Sequence, residues 1–469
     1  MEKIISDIYE ILKSSSNPIE LEQTIQAFMW QLISEAMEII LDQINQTIKE
    51  EKQKQGWKVK RNDARTIQYV FGPVQYKRTL MEDPTGENHY PLDEWLGIKS
   101  YQRYSPLVEV QVAELASDAT YRDTAKFIEA WTPVELSHQT VKTVVEKVGK
   151  IQAQYDQALV EDLEDSAVLP EGRQVDYFYA EADGVYVRGT EKGKKVEIHH
   201  AITYEGWERN GKRVSLKTPK TILTTGSISK FWEEVQTLTA NNYSLENTRI
   251  ITNSDGGAGY TAEKFQTAFA QSKYPVINQL DAYHITQSLN RTFGMQDKQF
   301  KPEVRKAIQA KDLEAFDLWV TTFESTLKED KEIEKLKEFR SYITNNWSRI
   351  FDWRKEVEGA PADARGLGAM ESNQRRITFR MKKRGMHWSM AGCEAMVKVK
   401  QGIFNETLRS SYLGHIHRTT RQRRIDKKVI RLSTLLNSKP KPSIGAKQGS
   451  IPVNAASSSP MGQLSKAFR

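Results

Sequence analysis

The chain has 469 residues, enough for about three domains, and its 38% hydrophobic content is that of an ordinary globular protein. No run approaches 18 apolar residues, no signal-peptide pattern opens the chain, and the single cysteine, Cys393, excludes an internal disulfide framework or a cysteine-based zinc finger. These features predict a cytoplasmic protein, and the net charge of +7 favours a polyanionic partner.

The first 56 residues are predicted to form two amphipathic helices. From about Glu20 to Glu50, apolar residues recur at spacings of three and four, which is typical of one long helix. A shorter helix precedes it and is broken by the Ser/Asn/Pro segment at 14–18. The pattern does not decide whether the long helix docks on its own chain or dimerises.

Residues 57–150 begin with a predicted β-hairpin. The runs 66–71 and 74–80 are rich in aromatic and β-branched residues and flank Gly72-Pro73, which is a turn signal. Basic residues at both ends of the hairpin are compatible with a DNA contact, but this feature alone does not decide between contact and a solvated surface.

A helix pair of the helix-turn-helix type is predicted next. A helix at 121–131 is followed by a turn, and a second helix begins after a cap at Ser137 and exposes the polar Lys142. Two helices across a turn fit DNA binding, with the second helix in the major groove. Helix pairs are also common packing units, so both interpretations stay open.

The segment 151–172 is polar and acidic, which predicts a linker, and the periodicity then changes to that of strands. The predicted order is three strands, then strands alternating with helices: strands at 174–188, 195–204 and about 216–224, a helix at 229–240, a strand ending at Asp255, a helix at 261–271, and a strand at 274–281. This is the order of a ribonuclease H-like domain of the α/β class, in which the first and fourth strands lie side by side. Such a sheet would bring Asp183 near Asp255.

Three carboxylates have similar settings. Asp183 and Asp255 each follow an apolar strand and precede a glycine, and Glu371 lies at the start of a basic helical segment. One Asp-Gly pair usually marks a turn, so the hypothesis depends on all three together. Hard divalent cations take oxygen ligands held on rigid elements, so the three predict a site for two Mg²⁺ or Mn²⁺ ions that catalyses phosphoryl transfer.

Other polar residues near these acids allow two interpretations each. Asp281 either joins the site or caps the helix that follows its strand. His284 either hydrogen-bonds a catalytic acid or the scissile phosphate, or simply packs. His199 and His200 resemble a zinc pair, but neighbouring strand residues face opposite ways, so we do not expect them to share a metal.

The C-terminal half is predicted to be helical, then basic. Residues 296–365 form a helical insertion whose tryptophans (319, 347 and 353) either pack in a core or stack on a flipped base. Between Arg375 and Arg431 there are 16 Lys or Arg and three acids, a bias that favours a phosphate-binding surface. The residues expected to bind DNA there are Arg375, Arg376, Arg380, Lys382 and Lys383. The predicted segments are 1–56, 57–150, 151–172, 173–295, 296–365, 366–436 and a disordered basic tail at 437–469.

Together these features resemble bacterial insertion-sequence transposases of the DDE, ribonuclease H-like class, in the Mutator-like branch. The resemblance covers about residues 60 to 440. It narrows to a family long catalogued as an uncharacterised protein family in Gram-positive bacteria. The motifs that carry it are Leu92 to Ile98 with Tyr101, Arg103, Tyr104 and Ser105, Ser117 to Arg122, Asp281-Ala282-Tyr283-His284, Glu371-Ser372-Asn373, Arg380-Met381-Lys382, Gly385-Met386 and Trp388-Ser389.

The resemblance implies a polynucleotidyl transferase that cuts at element ends and joins the freed 3′-hydroxyl to target DNA. Asp183, Asp255 and Glu371 match the metal-binding acids, and His284 matches the family histidine. The expected partners are transposon-end and target DNA, with at least a dimer in the active complex. Two alternatives are a non-catalytic repressor of the element, which would not need the three acids, and a structure-selective nuclease that cuts without joining.

Overall fold

The computed structural model describes residues 2–165, 171–294 and 297–415. They fall into two compact units. Unit one takes in Met1–Val112, Tyr121–Val141 and Leu413–Arg469, as far as these are described, and unit two takes in Ala113–Thr120 and Lys142–Tyr412. Each unit contains helices and a β-sheet, so the fold class is mixed α/β. The predicted disordered tail at 437–469 lies outside the described residues.

Unit one joins two N-terminal helices to a small sheet. Its elements are α1 (Glu2–Ser14), α2 (Pro18–Lys54), β1 (Lys58–Tyr69), β2 (Gly72–Glu82), β3 (Asn88–His89), α3 (Pro91–Leu96), most of α4 (Pro106–Ala116), α5 (Tyr121–Trp131) and the start of α6 (His138–Glu164). The predicted hairpin is confirmed, since β1 and β2 pair antiparallel.

The predicted break between the first two helices is also confirmed. The Asn17 side chain accepts a hydrogen bond from the Glu20 amide at 2.9 Å, and Pro18 fits the first turn, where its missing N–H is not needed. The second half of α2 docks on its own chain, because Leu41 and Ile44 are buried in one cluster with residues of β1 and β2.

The helix α6 corrects the predicted linker. Ser137 Oγ accepts a hydrogen bond from the Thr140 amide at 3.1 Å, as expected of a cap, but the helix then runs without a break to Glu164. Most of the segment 151–172 is therefore helical. Ile151 and Val160 are buried, while the acidic residues that suggested a linker, Glu161, Asp162 and Glu164, are exposed positions at the end of this helix.

Unit two is built on a five-stranded sheet and a separate hairpin. The strands are β4 (Tyr177–Arg188), β5 (Lys195–Tyr204), β6 (Trp207–Asn210), β7 (Arg213–Leu216), β8 (Lys220–Thr224), β9 (Arg249–Ser254) and β10 (Ile277–Leu280). The large sheet has the order β10-β9-β4-β5-β8, and β6 pairs only with β7. The strand expected near 216–224 is thus wrong at its start, because Arg213–Leu216 turns back on β6 to form a hairpin.

The central strand β4 pairs parallel with β9 and antiparallel with β5. The expectation that the first and fourth strands lie side by side is therefore confirmed. One detail is wrong: Asp183 does not end its strand, because β4 continues to Arg188 and Asp183 pairs with His200. The ladder to β5 persists past Asp183, whereas the ladder to β9 stops at Glu181.

Helices complete unit two: α7 (Ile228–Ala240), α8 (Ala262–Ala268), α9 (Ala282–Phe293), α10 (Phe300–Ala310), α11 (Leu313–Glu324), α12 (Asp330–Asn345), a 3₁₀ turn at Trp347–Arg349, α13 (Trp353–Glu356), α14 (Ala369–Met381) and α15 (Met390–Phe404). Side chains alternate across β4, so Phe178 and Ala180 join a core with residues of α7 and α8. Tyr179 faces the other side, in a cluster with Trp353 and Met370.

The segment 296–365, predicted to be helical, contains α10 to α13, and residues of α9 to α12 form a core of their own. Its tryptophans follow the core interpretation. Trp353 is fully buried against Tyr179, with ring centroids 5.4 Å apart, and Trp319 and Trp347 pack half-buried against the helical core.

The helix α15 lies along the edge strand β8 and hydrogen-bonds its backbone. Gln401 Oε1 accepts from the Leu223 amide at 2.7 Å. The Asn405 amide contacts Thr221 twice, accepting from its N–H and donating to its carbonyl, both at 2.7 Å. Two side chains that follow one another by one helical turn thus supply the partners that a further strand would otherwise supply.

A buried ion cluster ties three helices of unit two together. Lys398 of α15 is fully buried, and its ammonium lies 2.6 Å from Glu234 of α7 and 3.0 Å from Asp156 of α6. Burial raises the pKa of Glu234 to about 7 despite the neighbouring lysine.

No helix in the described part of the chain is both long and apolar enough to cross a bilayer.

Candidate active site

Two of the predicted acids meet at one edge of the large sheet. Asp255 comes directly after β9, and the parallel ladder that pairs Glu181 with Asn253 puts Asp183 and Asp255 next in line on neighbouring strands. Their proximity has an electrostatic effect. Burial, followed by the negative charge of Asp255, raises the pKa of Asp183 to about 6.

Two residues of the helical region, Tyr342 and Arg349, form hydrogen bonds to the segment around Asp255. The Asp255 carboxylate accepts from the Gly257 amide at 2.8 Å, and Gly256 has the positive φ of 82° that this tight turn requires. Tyr342 of α12 donates to the Asp255 carbonyl at 3.1 Å, and Arg349 donates to Ser254 Oγ at 2.8 Å. Neither Tyr342 nor Arg349 carried a sequence signal for this role.

The third acid arrives on α14. Glu371 lies in the first turn of that helix and is exposed. One turn later, the Gln374 side-chain amide donates to Asp183 Oδ2 at 2.5 Å. Because residues three apart share one side of a helix, Glu371 is on the side of α14 that faces Asp183.

The carboxylate oxygens of Asp183, Asp255 and Glu371 do not all lie within 4.8 Å of one another, the spacing expected of residues that share a metal ion. Among the described residues, the group of three potential metal ligands whose atoms all lie within 4.8 Å of one another is Asp83, Glu87 and His89, in unit one. Exposed acids of this kind cluster often without a metal, and Asp83 already accepts hydrogen bonds within its own turn.

His284 lies at the same edge, in the first turn of α9. Its Nε2 is 3.9 Å from Asp183 Oδ2 and 4.0 Å from Asp281 Oδ2. Asp281 accepts from the Tyr283 amide at 2.8 Å, so the capping interpretation of that aspartate is confirmed. The histidine therefore faces the site, while the aspartate is engaged in its helix.

Two histidines of β5 lie on opposite faces of the sheet, as expected. His199 contacts the Tyr260 hydroxyl at 2.6 Å. His200, opposite Asp183 in the ladder, is fully buried, and its ring nitrogens have no hydrogen-bond partner among the described residues. Burial and then the positive charge of Arg376 lower the pKa of His200 to about 3, so its ring is neutral.

One buried carboxylate near the site was missed. Glu181 is fully buried two residues before Asp183 and accepts hydrogen bonds from the backbone at the start of α14. Strand alternation puts it on the same face of β4 as Asp183, which is a usable signal. Nothing in the sequence indicates the partner, which lies 187 residues away.

The predicted DNA-binding residues divide into exposed and buried ones. Arg375, Arg376, Lys382 and Lys383 are exposed, and the Arg376 guanidinium lies 3.9 Å from the centre of the Phe404 ring. Lys142 is also exposed and forms an i,i+4 ion pair of 3.6 Å with Glu146.

Arg380 does not belong to that surface. It is fully buried, and its Nε donates to the Ala116 carbonyl at 3.0 Å. Its prediction as a phosphate contact is wrong, because it lies on the inner side of α14 with Ile377 and Met381. Lys398 and Lys400 of the basic region are buried as well, so net charge overstated the exposed positive surface.

A cavity of about 320 Å³ opens beside the acids, between α9 and α12. Its lining combines both signs of charge with aromatic surface. The lining residues include Asp255, His284, Arg291, Lys335, Phe339 and Tyr342.

The donor set at this edge fits a hard divalent cation. Asp183 and Asp255 offer carboxylate oxygens, and the repulsion that Asp255 exerts on the partly buried Asp183 is what a cation would relieve. Glu371, exposed on the adjoining helix turn, is the next available oxygen donor. Asp183 and Asp255 are thus side by side, and Glu371 lies on the helix that is bonded to Asp183 through Gln374.

Comparison with known proteins gives the family. A family model described as Uncharacterised protein family (UPF0236) matches residues 12–412. The UPF0236 protein in the vanSb 3′ region of Streptococcus gallolyticus is 30% identical over 468 residues, which is 99% of both chains. A UPF0236 protein of Caldanaerobacter subterraneus subsp. tengcongensis is 25% identical over 397 residues, 83% of this chain and 79% of that one. The chain belongs to the UPF0236 family.

Proposed function

We propose that this protein is a DNA transposase that cleaves DNA at the ends of its own element and transfers the freed 3′-hydroxyl into target DNA. The observation that carries the proposal is the proximity of Asp183 and Asp255 at one end of the parallel pairing of β4 and β9, with the helix of Glu371 attached to Asp183 through Gln374. A protein that only binds DNA, such as a repressor, would not need this arrangement of acids.

The sheet supports a ribonuclease H-like core. Its order, β10-β9-β4-β5-β8, has only β5 antiparallel to both of its neighbours, and the first acid is on the central strand. In such a core the helical region between Asp255 and Glu371 would be an insertion. The hydrogen bonds from Tyr342 and Arg349 to the Asp255 turn give that insertion a role in holding the site.

The residues of the site have distinct roles in this reaction. Bound Mg²⁺ or Mn²⁺, as two ions, would activate the attacking hydroxyl and stabilise the leaving oxygen. Asp183 on β4 and Asp255 directly after β9 would hold these ions, and Glu371, exposed on the first turn of α14, would be the third carboxylate donor. His284, whose Nε2 lies 3.9 Å from Asp183 Oδ2, would orient the scissile phosphate or one of the three acids.

The family adds an independent argument. The name of one Caldanaerobacter relative joins eleven locus designations, and that of another joins four. A protein encoded at many loci of one genome is what a mobile element produces when it copies itself. A repressor of the element would share this distribution, but it would not require the paired acids.

DNA would approach along α14. Arg375, Arg376, Lys382 and Lys383 are exposed at and after the helix that carries Glu371, and they would neutralise phosphates near the acids. At least two copies of the chain would act together, because an element has two ends to be cut and joined.

The test is cleavage of DNA from both flanks of the gene by the full-length protein. We expect nicking with Mg²⁺ or Mn²⁺ and none in EDTA. Asp183→Asn should abolish nicking while retaining affinity for end DNA, and Asp176→Asn, an exposed change earlier on the same chain segment, should leave both unchanged.

Three results would contradict the proposal. Cleavage that persists in EDTA excludes the metal mechanism. End binding by a wild-type protein that never cleaves favours the repressor. Cleavage without joined products, even when target DNA is supplied, favours the structure-selective nuclease.

A further inference from the structure

The buried carboxylate of Glu181 is bonded to the first turn of the helix that carries Glu371. Its Oε1 accepts from the amides of Gly368 at 3.1 Å and Ala369 at 3.0 Å, and its Oε2 accepts from Met370 at 3.0 Å. Tyr204 donates a fourth hydrogen bond, of 2.7 Å, to Oε1. Glu181 is fully buried, and the Asn253 side-chain amide adds a longer hydrogen bond of 3.5 Å to Oε2.

This contact replaces the cap that α14 lacks. Gly368 is at the N-cap position, has a φ of 135°, and has no side chain to accept the helix's unpaired amides. A carboxylate at a helix N-terminus is also favoured by the helix dipole. Glu181 thus supplies, from a β-strand, what a serine or aspartate usually supplies from within the helix.

Two contacts now attach α14 to β4. Glu181 holds the backbone at residues 368–370, and Asp183 accepts the side chain of Gln374. Glu371 lies between these two points of attachment. Because Glu181 and Asp183 are two residues apart on one strand face, a single rigid element fixes both contacts.

We infer that Glu181 is a positioning residue: it sets where the Glu371 carboxylate stands relative to Asp183, and thereby the affinity of the site for its cation. This inference rests on the proposed function. Partners that orient metal ligands commonly change metal affinity about 10–100-fold when they are replaced. The competing explanation is that Glu181 only stabilises the fold.

The experiment compares two variants of the full-length protein. Glu181→Gln keeps the shape but replaces one acceptor oxygen by a donor, so it cannot accept from all three amides. Tyr204→Phe is the matched control, since it removes the tyrosine hydrogen bond to the same carboxylate and leaves the α14 contacts in place. Each is measured by amide hydrogen exchange at 368–374, Mn²⁺ titration calorimetry, and cleavage against Mn²⁺ concentration.

We expect Glu181→Gln to speed exchange at 368–370 and to weaken Mn²⁺ binding about tenfold or more, with cleavage recovering at high Mn²⁺. Tyr204→Phe should lower the melting temperature without changing Mn²⁺ affinity. If Glu181→Gln does not fold, Glu181→Asp, which keeps the charge but retracts it from α14, should show the same weakening of Mn²⁺ binding.

Two outcomes overturn the inference, and they are distinguishable. If the wild type binds Mn²⁺ and cleaves, and the Glu181 variants only melt earlier with unchanged Mn²⁺ affinity, then Glu181 is structural and the proposed function stands. If the wild type neither binds Mn²⁺ nor cleaves, the proposed function fails and the positioning role fails with it.

Discussion

The side chain of Gln374 donates a 2.5 Å hydrogen bond to Oδ2 of Asp183, which is the acid at the centre of the large sheet. This bond lowers the pKa of Asp183, against the larger effects of burial and of Asp255, which raise it to about 6. A neutral amide therefore occupies an oxygen that a cation would use.

Removal of this donor should make Asp183 harder to ionise. In metal-free Gln374→Leu protein, the titration midpoint of Asp183 should rise by about one pH unit, because a hydrogen bond to a charged group contributes about 1.5 kcal/mol. Carboxyl ¹³C NMR titration in EDTA measures this, with Asp183→Asn to assign the signal. Asn373→Ala, which loses only a bond to its own helix, is the control. An unmoved midpoint would show that Gln374 does not stabilise the ionised form.

The same raised pKa predicts that the site costs stability at neutral pH. An aspartate whose folded pKa exceeds its unfolded value binds more protons when folded, so stability falls as pH rises from about 4 to about 6. Asp183→Asn should therefore stabilise the metal-free protein at pH 7.5, by up to about 3 kcal/mol, and by little at pH 4. Denaturant unfolding at both pH values measures the difference. Stabilisation that is equal at the two pH values would rule out this origin.

The exposed and buried arginines of α14 should behave differently with DNA. Arg375→Gln with Arg376→Gln should weaken binding at low salt and flatten its salt dependence by up to about one log–log slope unit per lost phosphate contact. Arg380→Gln should lower the melting temperature and leave that slope unchanged, since Arg380 is buried against the Ala116 carbonyl. A slope that follows Arg380 but not the exposed pair would reverse the assignment.

Loss of the buried lysine should be costly and pH-dependent. Lys398→Met leaves Glu234 and Asp156 without their cation, and breaking a buried ion pair costs about 3–5 kcal/mol. The loss should be smaller at pH 5 than at pH 8, because Glu234, whose pKa is already about 7, can become neutral. Lys306→Met, which breaks only an exposed pair with Glu303, should cost at most about 1 kcal/mol. Equal losses for the two variants would mean that the buried cluster is not held by charge.

The sequence was informative where a local signal and a general rule of sheets combine. Apolar strands followed by Asp-Gly located Asp183 and Asp255, and the order of strands and helices then predicted that they meet. The expectation that Glu371 lies at the start of a basic helical segment was also correct, since α14 begins two residues earlier, at Ala369. These are short-range patterns, and the parallel pairing of β4 and β9 is what brings the two aspartates together.

Contacts between distant segments were out of reach. The sequence around Glu181 is that of an ordinary strand and does not indicate its contact with α14. Nor does the sequence around Arg349 indicate its hydrogen bond to Ser254, the residue before Asp255. Arg380 is an instructive error, because its position three residues after Ile377 and next to Met381 indicated the buried side of the helix. The basic composition of the region outweighed that spacing. The acidic composition around 161–165 hid the end of α6 for the same reason.

The amide side chains that line β8 have a consequence for the behaviour of the chain at high concentration. An edge strand with free N–H and carbonyl groups can recruit a strand from a neighbouring molecule and begin aggregation. Here Gln401 already bonds the amide of Leu223, Asn405 bonds both the amide and the carbonyl of Thr221, and α15 lies along the strand. At this side of the sheet an incoming strand would first have to displace a helix.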